Sequence, residues 1–407
     1  YRFRISYTVL CINGTRFMPY NNFLLQIIKK NTYRINDTFV SISIGLISRF
    51  PVILNLGFNA FLFTLAATTF NLKLLPLDSW VTWVIAFLMY DLTYYIQHRL
   101  HHEIKILWAT HVVHHHGEEY NLATALRQTS TGFLWKWMFY VPMMVVGIPA
   151  EVFATVGGIN LLYQYWVHTE HIPKLGWMEK IFITPSNHRV HHARNEKYLD
   201  SNYAHIFIIW DRIFGTFKGE EEEPDYGITS GFNRANAYNA TFSYWKNLFT
   251  RSKQANNLID KIRVFFKGPK WTPKDVEHLP PVFDEDENGR RLHQEFITTK
   301  KFRWYNLASI LITIFSFVGL MIYKSELKEG VTLLEMIKDQ KMITLLFVIL
   351  FSIYVHSSFI ENKKNAFLLE FFRLLLIPVA LLISFHEYAF VNILSPICFI
   401  YCGLLLV

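Results

Sequence analysis

Histidines gather in three short clusters in the first half of the chain, at spacings that metal sites use. The clusters are QHRLHHE at 97–103, HVVHHH at 111–116 and NHRVHH at 187–192. A helix turns once in about 3.6 residues, so residues three and four apart share a face. The spacing therefore predicts that each cluster projects two or three imidazoles from one helix edge. These are His98 and His102; His111, His114 and His115; and His188, His191 and His192.

Eight imidazoles at these spacings predict a metal site, whereas a single histidine is more often a packed or solvated side chain. Neutral imidazole binds Fe, Zn, Cu and Ni, so the ligand type alone does not choose the metal. Eight nitrogens exceed the four of a structural zinc site, and they suit two metal ions with positions left open for O2. The protease pattern H-E-x-x-H is absent, because His102 and Glu103 are followed by Ile104, Lys105 and Ile106. This disfavours peptide hydrolysis.

Long apolar blocks place the clusters in a membrane protein. They lie at 51–70, 80–96, 133–149, 151–167, 304–323, 342–359, 367–385 and 388–407. These blocks meet or approach the roughly 20 apolar residues that a helix needs to cross a bilayer. The last block carries no charged residue, which argues against a soluble protein with buried helices. We therefore predict an all-α fold, a multi-pass transmembrane helical bundle.

The charge distribution gives the partners that we expect. The net charge of +8 is typical of Lys and Arg held on the cytosolic side of a membrane. No compact basic domain stands apart from the apolar blocks, so we do not expect nucleic-acid binding.

The block 133–167 separates the second and third clusters, and it must leave the membrane face and return. We predict a helical hairpin that turns at 147–151, which places a di-metal site on one face, the cytosolic one.

Four regions follow from this pattern. The first is a polar lead at 1–38, for which an upstream truncation stays open. The second, 39–217, is predicted to be a membrane-embedded catalytic domain. A charged cytosolic linker or subdomain is expected at 218–301, and a C-terminal transmembrane bundle at 302–407.

The sequence around the clusters resembles the fatty acid hydroxylase/sterol desaturase superfamily of membrane di-iron enzymes, and within it the enzymes that oxidise glyceryl ethers. The matching segments are DLTYYIQHR (91–99), WATHVVHHHGEEYNLATALRQ (108–128), NLLYQYWVHTE (160–170), TPSNHRVHHARN (184–195) and IIWDRIFGTF (208–217). The resemblance implies that the eight histidines are iron ligands, and it adds His168 as a ninth. It also favours His102 over His101 as the partner of His98. Three further histidines are expected to lie outside the ligand set: His116, His171 and His205.

The resemblance implies a monooxygenase that uses O2, two iron ions and tetrahydrobiopterin. Its substrates would be membrane lipids, namely alkylglycerols and lyso-ether phospholipids, and its location the endoplasmic reticulum membrane. The enzyme would hydroxylate the carbon next to the ether oxygen and release a fatty aldehyde and a glycerol product. No catalytic residue beyond the metal ligands is expected.

Polar side chains beside the clusters are candidates for other contacts. Glu103 is our candidate for the guanidine-like edge of the pterin, with Glu118 and Glu119 as further candidates. The alternative for these carboxylates is to orient histidines, a role that we also predict for Asp91. Residues 210–212 are expected to shape the fold. Candidates for contact with a lipid headgroup or the pterin are Asn121, Arg127 and Gln128.

Two other functions stay open. The first is a sterol or fatty-acyl hydroxylase or desaturase of the same superfamily that takes electrons from cytochrome b5. The chain has no His-Pro-Gly-Gly heme segment, so a separate protein would have to supply them. The second is a membrane metal transporter or zinc-binding protein. A transporter carries its ligands at mid-span, whereas these clusters flank the apolar blocks.

Overall fold

The computed structural model describes residues 32–54, 59–229, 236–276, 300–327 and 331–385. In these ranges the regular elements are helices, and the β-type pairing consists of two isolated bridges, Phe182 with Phe207 and Ala193 with Tyr226. The all-α prediction is confirmed for this part of the chain. Most of the polar lead and the apolar block 388–407 lie outside the described residues.

The α-helices are numbered in chain order. They are α1 Ile35–Ile47, α2 Phe50–Ile53, α3 Asn59–Thr69, α4 Trp80–Glu103, α5 Lys105–His115, α6 Lys136–Val146, α7 Ala150–Trp166, α8 Pro185–His192, α9 Ile209–Ile213, α10 Ala237–Gln254, α11 Leu258–Phe266, α12 Lys300–Glu326, α13 Leu333–Met336, α14 Gln340–Ile360 and α15 Ala366–Phe385. Short 3-10 turns occur at Thr124–Leu126, Gly132–Leu134, Gly176–Lys180 and Glu196–Tyr198.

Three helices near the C-terminus are long and apolar enough to cross a membrane. They are the Leu307–Glu326 part of α12, α14 and α15. α14 packs between α12 and α15, which is why a larger share of it is buried. These helices coincide with three of the predicted apolar blocks, and the chain is a multi-pass membrane protein.

The hairpin predicted for 133–167 is confirmed as the pair α6 and α7. α6 ends in a Schellman motif, in which Ile148 N donates to the Met143 carbonyl at 3.1 Å and Gly147 has a φ of +109°. Pro149 then precedes α7. The helices have 11 and 17 residues, hence lengths of about 16 and 26 Å, and both are shorter than a hydrocarbon core of about 30 Å. The hairpin is therefore expected to enter the bilayer without crossing it.

α4 is the helix that carries the first histidine cluster away from the apolar region. Its 24 residues span about 36 Å, apolar up to Ile96 and polar from Gln97 to Glu103. The extended residue Ile104 ends it, and α5 starts at once in a new direction. α4 also packs against α6 and α7. The first and second clusters thus lie on two consecutive helices that are separated by the single residue Ile104.

A hydrophobic core joins the histidine-bearing helices to the C-terminal spans. It includes Phe39 and Ile44 of α1, Val113 of α5, Ala240 of α10 and Ile353 of α14. α1 also lies close to the turn at Thr124–Leu126, where a Cβ on Gly45 would come within 2.8 Å of the Leu126 carbonyl oxygen. Only glycine allows this approach, which fixes the loop that follows the second cluster.

Candidate metal centre

The nine predicted ligands lie together in two adjacent groups at the polar end of α4. The first group is His98, His102, His111, His115 and His191, and the second is His114, His168, His188 and His192. Within each group the candidate ligand atoms all lie within 4.8 Å of one another. The two groups are in contact, because the rings of His115 and His192 stack with centroids 4.4 Å apart.

Each histidine triplet divides between the two groups in the same way. On α5, the i, i+4 pair His111 and His115 belongs to the first group, while the i+3 residue His114 belongs to the second. The triplet of α8 divides likewise, with the i, i+4 pair in the second group and His191 in the first. Residue i+4 is rotated by only about 40° from residue i around the helix axis, whereas residue i+3 is rotated in the opposite direction. The spacing H-x2-H-H thus suits a helix that lies between two metal ions.

α8 is short, polar and wholly buried, which is unusual for such a composition. Thr184 caps its start by accepting from Asn187 N, and Pro185 occupies the first turn. All eight residues of α8 are buried. Burial of polar side chains is costly unless they are hydrogen-bonded or bind a metal. The burial of α8 therefore fits a helix whose imidazoles point into a metal centre.

Backbone carbonyls fix the orientation of four of the nine imidazoles. The Nδ1–H groups donate as follows: His98 to Tyr203 at 2.8 Å, His191 to Ser201 at 2.9 Å, His114 to Arg127 at 3.2 Å and His168 to Gln164 at 2.7 Å. A carbonyl oxygen only accepts, so the ring proton must be on Nδ1 and the lone pair on Nε2. This is how proteins usually prepare a histidine for a metal.

The lone pairs that result face one another, and this tests whether metal ions fit. The Nε2 atoms of His114 and His168 are 3.3 Å apart, although both carry a lone pair. Two such nitrogens repel unless a cation lies between them. Nitrogens that bind one ion at about 2.1 Å come within roughly 3 Å of each other. The residues present therefore fit a bound metal.

Other buried nitrogens point to the same conclusion. Among the described residues, the Nε2 atoms of His102, His191 and His192 have no hydrogen-bond partner. A buried polar atom left unsatisfied costs about 1–3 kcal/mol. Metal coordination would satisfy all three.

Burial also sets the protonation state of the imidazoles. It lowers the pKa of His191 to about 3 and that of His168 to about 4. Burial, and then repulsion from neighbouring histidines, lowers the pKa of the other seven well below 6.5. All nine rings are thus neutral at pH 7, which is the form that binds metals.

The histidines that we placed outside the ligand set belong to neither group. His101 Nδ1 donates to the Gln97 carbonyl at 2.6 Å, and the His101 ring packs near Phe139. His205 Nδ1 lies 2.7 Å from Asn160 Oδ1, and His171 Nε2 lies 2.9 Å from Thr32 Oγ1. His116 is fully buried beside α5 without joining either group.

Two buried aspartates support the loop that anchors His98. Asp91 accepts from Ile206 N at 2.9 Å and from Trp210 Nε1 at 2.9 Å. The prediction that Asp91 orients a histidine directly is wrong, because its oxygens bind the backbone and Trp210 instead. Asp211 accepts from the backbone N–H groups of Tyr203 and Ala204, both at 2.8 Å. This confirms its expected role in shaping the fold and links it, through Tyr203, to the metal centre.

The first residues of the predicted linker or subdomain at 218–301 pack onto the centre. Glu220 accepts from Arg189 Nε and Nη2, both at 2.7 Å. The ring of Tyr226 stacks on that of Tyr120 with centroids 4.9 Å apart, and Tyr120 lies 5.2 Å from the ring of His192. The high charge of this segment predicts exposure to solvent. The pairing of Glu220 with a buried arginine depends on the tertiary structure and has no local sequence signal.

The other polar candidates have structural partners. Glu103 accepts from Arg99 Nε at 2.7 Å, and its side chain is 44% exposed. Glu119 lies 2.6 Å from Arg34 Nε. Arg127, a candidate for contact with a lipid headgroup or the pterin, is fully buried. Its guanidinium donates to the Val113 carbonyl at 3.2 Å and to Ser41 Oγ at 3.0 Å.

Comparison with known proteins agrees with this geometry. Residues 83–216, which include all nine histidines, match the fatty acid hydroxylase family. Over 374 residues the chain is 36% identical to alkylglycerol monooxygenase of Danio rerio, covering 89% of this chain and 78% of that protein. The chain belongs to the alkylglycerol monooxygenase family. It is therefore an oxidoreductase of the monooxygenase type.

Two further alkylglycerol monooxygenases align over shorter stretches. The Homo sapiens protein is 42% identical over 240 residues, which is 59% of this chain and 54% of that protein. The Xenopus tropicalis protein is 41% identical over 264 residues, which is 64% of this chain and 59% of that protein. No solved structure matches the chain significantly.

Proposed function

We propose that the chain is a di-iron monooxygenase that hydroxylates the carbon next to the ether oxygen of glyceryl ether lipids, with O2 and tetrahydrobiopterin as co-substrates. The single observation that carries the proposal is the pair of adjacent groups of neutral imidazoles. Membership of the alkylglycerol monooxygenase family supports the substrate class, which we take to be alkylglycerols and lyso-ether phospholipids.

The nine histidines would hold two iron ions, five at one ion and four at the other. Bound there, the iron pair would supply the activation of O2 that insertion into a C–H bond requires. The chain's own contribution is to fix the ligands. The carbonyls of Tyr203, Ser201 and Arg127 hold the Nδ1 protons of their histidines, and so direct the Nε2 lone pairs inward.

The reaction balances with a two-electron donor. One oxygen atom of O2 enters the C–H bond next to the ether oxygen, and the other becomes water with two electrons and two protons from the pterin. The resulting hemiacetal loses its bond to the glycerol oxygen, which regains a proton. The products are a fatty aldehyde and a glycerol compound.

The position of the centre suits a bilayer substrate. The ether bond of a lipid lies near the boundary between headgroups and acyl chains, and His98 follows two residues after the apolar part of α4 ends. Leu88 on α4 and Leu162 on α7 are exposed, and such apolar surface would suit the hydrocarbon region that the alkyl chain would occupy. We place the centre on the cytosolic side of the endoplasmic reticulum membrane, with support from the family resemblance and the net charge of +8.

Glu103 remains our candidate for the pterin. Its half-exposed carboxylate lies next to His102 and already accepts from Arg99. The amino edge of a pterin carries the same kind of paired donors as a guanidinium, so it would compete with Arg99 for this carboxylate.

The proposal is tested on purified full-length protein by metal analysis alongside aldehyde release from an alkylglycerol. We expect about two irons per chain and product only with the pterin. His191→Ala and His192→Ala, one from each group, should lose both iron and activity, whereas the control His171→Ala should keep them. Product formed with cytochrome b5 and without pterin would favour the sterol or fatty-acyl hydroxylase alternative. Bound zinc without turnover would favour the metal-binding protein.

A further inference from the structure

α11 presents an apolar face that nothing in the described part of the chain covers. Leu258, Ile259, Ile262 and Phe266 are 72, 61, 53 and 62% exposed. Val264 is the buried residue of this helix. A short helix with this much exposed aliphatic and aromatic surface marks an interaction site.

The pattern around the helix is that of a membrane-surface helix. At about 100° per residue, the four exposed apolar residues share an arc of about 100°, and Val264 lies on the opposite side. Lys261 and Arg263 border this arc, one at each edge. Long basic side chains at such edges extend their charged ends to lipid headgroups while their methylenes stay on apolar surface.

The sequence that flanks the helix on both sides is rich in exposed lysines. From 251 to 276, acidic residues are few, and exposed lysines occur before and after the helix. These are Lys253, Lys267, Lys270 and Lys274. Basic residues next to a membrane are attracted to anionic lipid, by about 1 kcal/mol each. The charge therefore complements an anionic leaflet.

The helix is tied both to a membrane span and to the metal centre. α10, which leads into α11, contacts the span α14, where Tyr238 Oη donates to the Leu350 carbonyl at 2.6 Å. At the other end of α11, Lys105 N donates to the Lys267 carbonyl at 3.0 Å. Lys105 begins α5, the helix of the second histidine cluster, and its ammonium group also donates to the Trp271 carbonyl.

The buried face of α11 packs on α5 itself. Val264 and Phe265 belong to the same core as two residues of α5: Ala109, just before the second histidine cluster, and Val112, within it. α11 therefore packs against a helix that supplies ligands to both metal groups.

We propose that α11 lies in the headgroup layer of an anionic leaflet, with its apolar arc inserted at the boundary with the acyl chains. A lipid surface fits better than a protein partner, because one face of a nine-residue helix is small beside the roughly 800 Å² per partner of a stable interface. This inference rests on the membrane nature of the chain and not on its reaction.

The test is a depth measurement on the full chain in lipid nanodiscs. Cys11, Cys398 and Cys402 are replaced by Ser, and Ile262→Cys is labelled with an environment-sensitive fluorophore. Spin-labelled lipids with a shallow acyl label should quench the fluorophore at 262 about fivefold more strongly than the same dye at Glu196→Cys. Glu196 is an exposed position just after α8. Quenching should grow as phosphatidylserine replaces phosphatidylcholine.

A charge variant makes the assignment sharper. Lys261→Gln with Arg263→Gln should weaken the dependence on phosphatidylserine, while the flanking lysines keep part of it. The iron content should stay unchanged, which shows that the chain still folds. Water-like emission at 262 in every lipid composition would overturn the proposal. Shielding that appears only when another protein is added would also overturn it, since the face would then bind protein. Both readouts are optical, so loss of enzymatic activity would not affect them.

Discussion

The metal centre and the ion pair between Arg373 and Glu370 in the C-terminal bundle are both buried, but they differ in how their polar atoms are satisfied. Arg373 Nε and Nη2 donate to the two oxygens of Glu370, each at 2.7 Å, and the side chains are 6 and 3% exposed. The charges cancel within the pair. The histidine groups instead bring together lone pairs without enough donors. A buried cluster whose charges and hydrogen bonds are all paired can be purely structural. A buried cluster with unpaired lone pairs needs a bound ligand.

The surroundings of the ion pair support its structural role. Arg373 also donates to Tyr305 Oη at 3.3 Å and lies 3.5 Å from Ser352 Oγ. These residues belong to α12, α14 and α15, so the pair connects α15 with α14 and with the part of α12 that precedes its candidate span. Charged groups inside a membrane are costly, and pairing of this kind is how they are tolerated.

The largest effect is expected in the first metal group, where neighbouring residues provide a matched pair of variants. His102→Ala should lower both iron content and activity by about 100-fold or more, because even residues that only support ligands contribute 10–100-fold. His101→Ala should change activity by no more than a few-fold, since His101 belongs to neither group. Iron analysis and aldehyde release on both variants decide the ligand. Greater loss with His101→Ala would show that the i, i+3 pair is the ligand pair.

The second prediction concerns the C-terminal pair. Arg373→Met should destabilise the protein by about 3–5 kcal/mol, because it leaves Glu370 buried and unpaired. Arg373→Met with Glu370→Met should recover most of this loss and keep the iron content. Thermal unfolding in detergent measures both. No such rescue is expected in the metal centre, where removing a second ligand only weakens binding further. If the double variant stayed as unstable as the single one, the pair would have a role beyond charge balance.

A smaller effect is expected from Asp211, which acts on the centre through the backbone. Tyr203 N and Ala204 N donate to different oxygens of Asp211, so the NH2 group of Asp211→Asn would face one of these two N–H groups and remove its acceptor. The Tyr203 carbonyl should then hold His98 less firmly, and iron affinity should fall about 10-fold. Asp225→Asn, at a pair that is 57% exposed on the aspartate side, is the control and should leave affinity unchanged. Equal affinity in both variants would show that the loop does not tune the metal.

Eight of the ligand positions could be predicted from the sequence, because the spacing of residues along a helix depends only on neighbouring residues. The triplets on α5 and α8 and the pair on α4 follow directly from 3.6 residues per turn. His168 was not accessible in this way, since it is alone in its segment, and only the family resemblance indicated it. The division of each triplet between two groups depends on how the helices cross, and was not predicted.

Other features depend on tertiary contacts that leave no local pattern. The carbonyls of Tyr203 and Ser201 anchor ligands through backbone atoms, which every residue type has. Arg127 reads as a surface residue by type, yet it is fully buried between α1 and α5. The apolar periodicity of α11 is visible in the sequence, but the charge around it predicts only a linker or subdomain and no place for the helix.

The smallest effect is expected at Glu103. It tests whether the polar groups beside the metal centre bind the pterin as well as the metal ions. Glu103→Gln keeps the size of the side chain and removes its charge, so KM for the pterin should rise a few-fold while iron content stays the same. Arg99→Gln is the matched variant, because it frees the carboxylate from its present partner. If Glu103 binds the pterin, Arg99→Gln should leave KM unchanged or lower it, since the competing donor is gone. A KM that rises equally in both variants would mean that the ion pair supports α4 and that the pterin binds elsewhere.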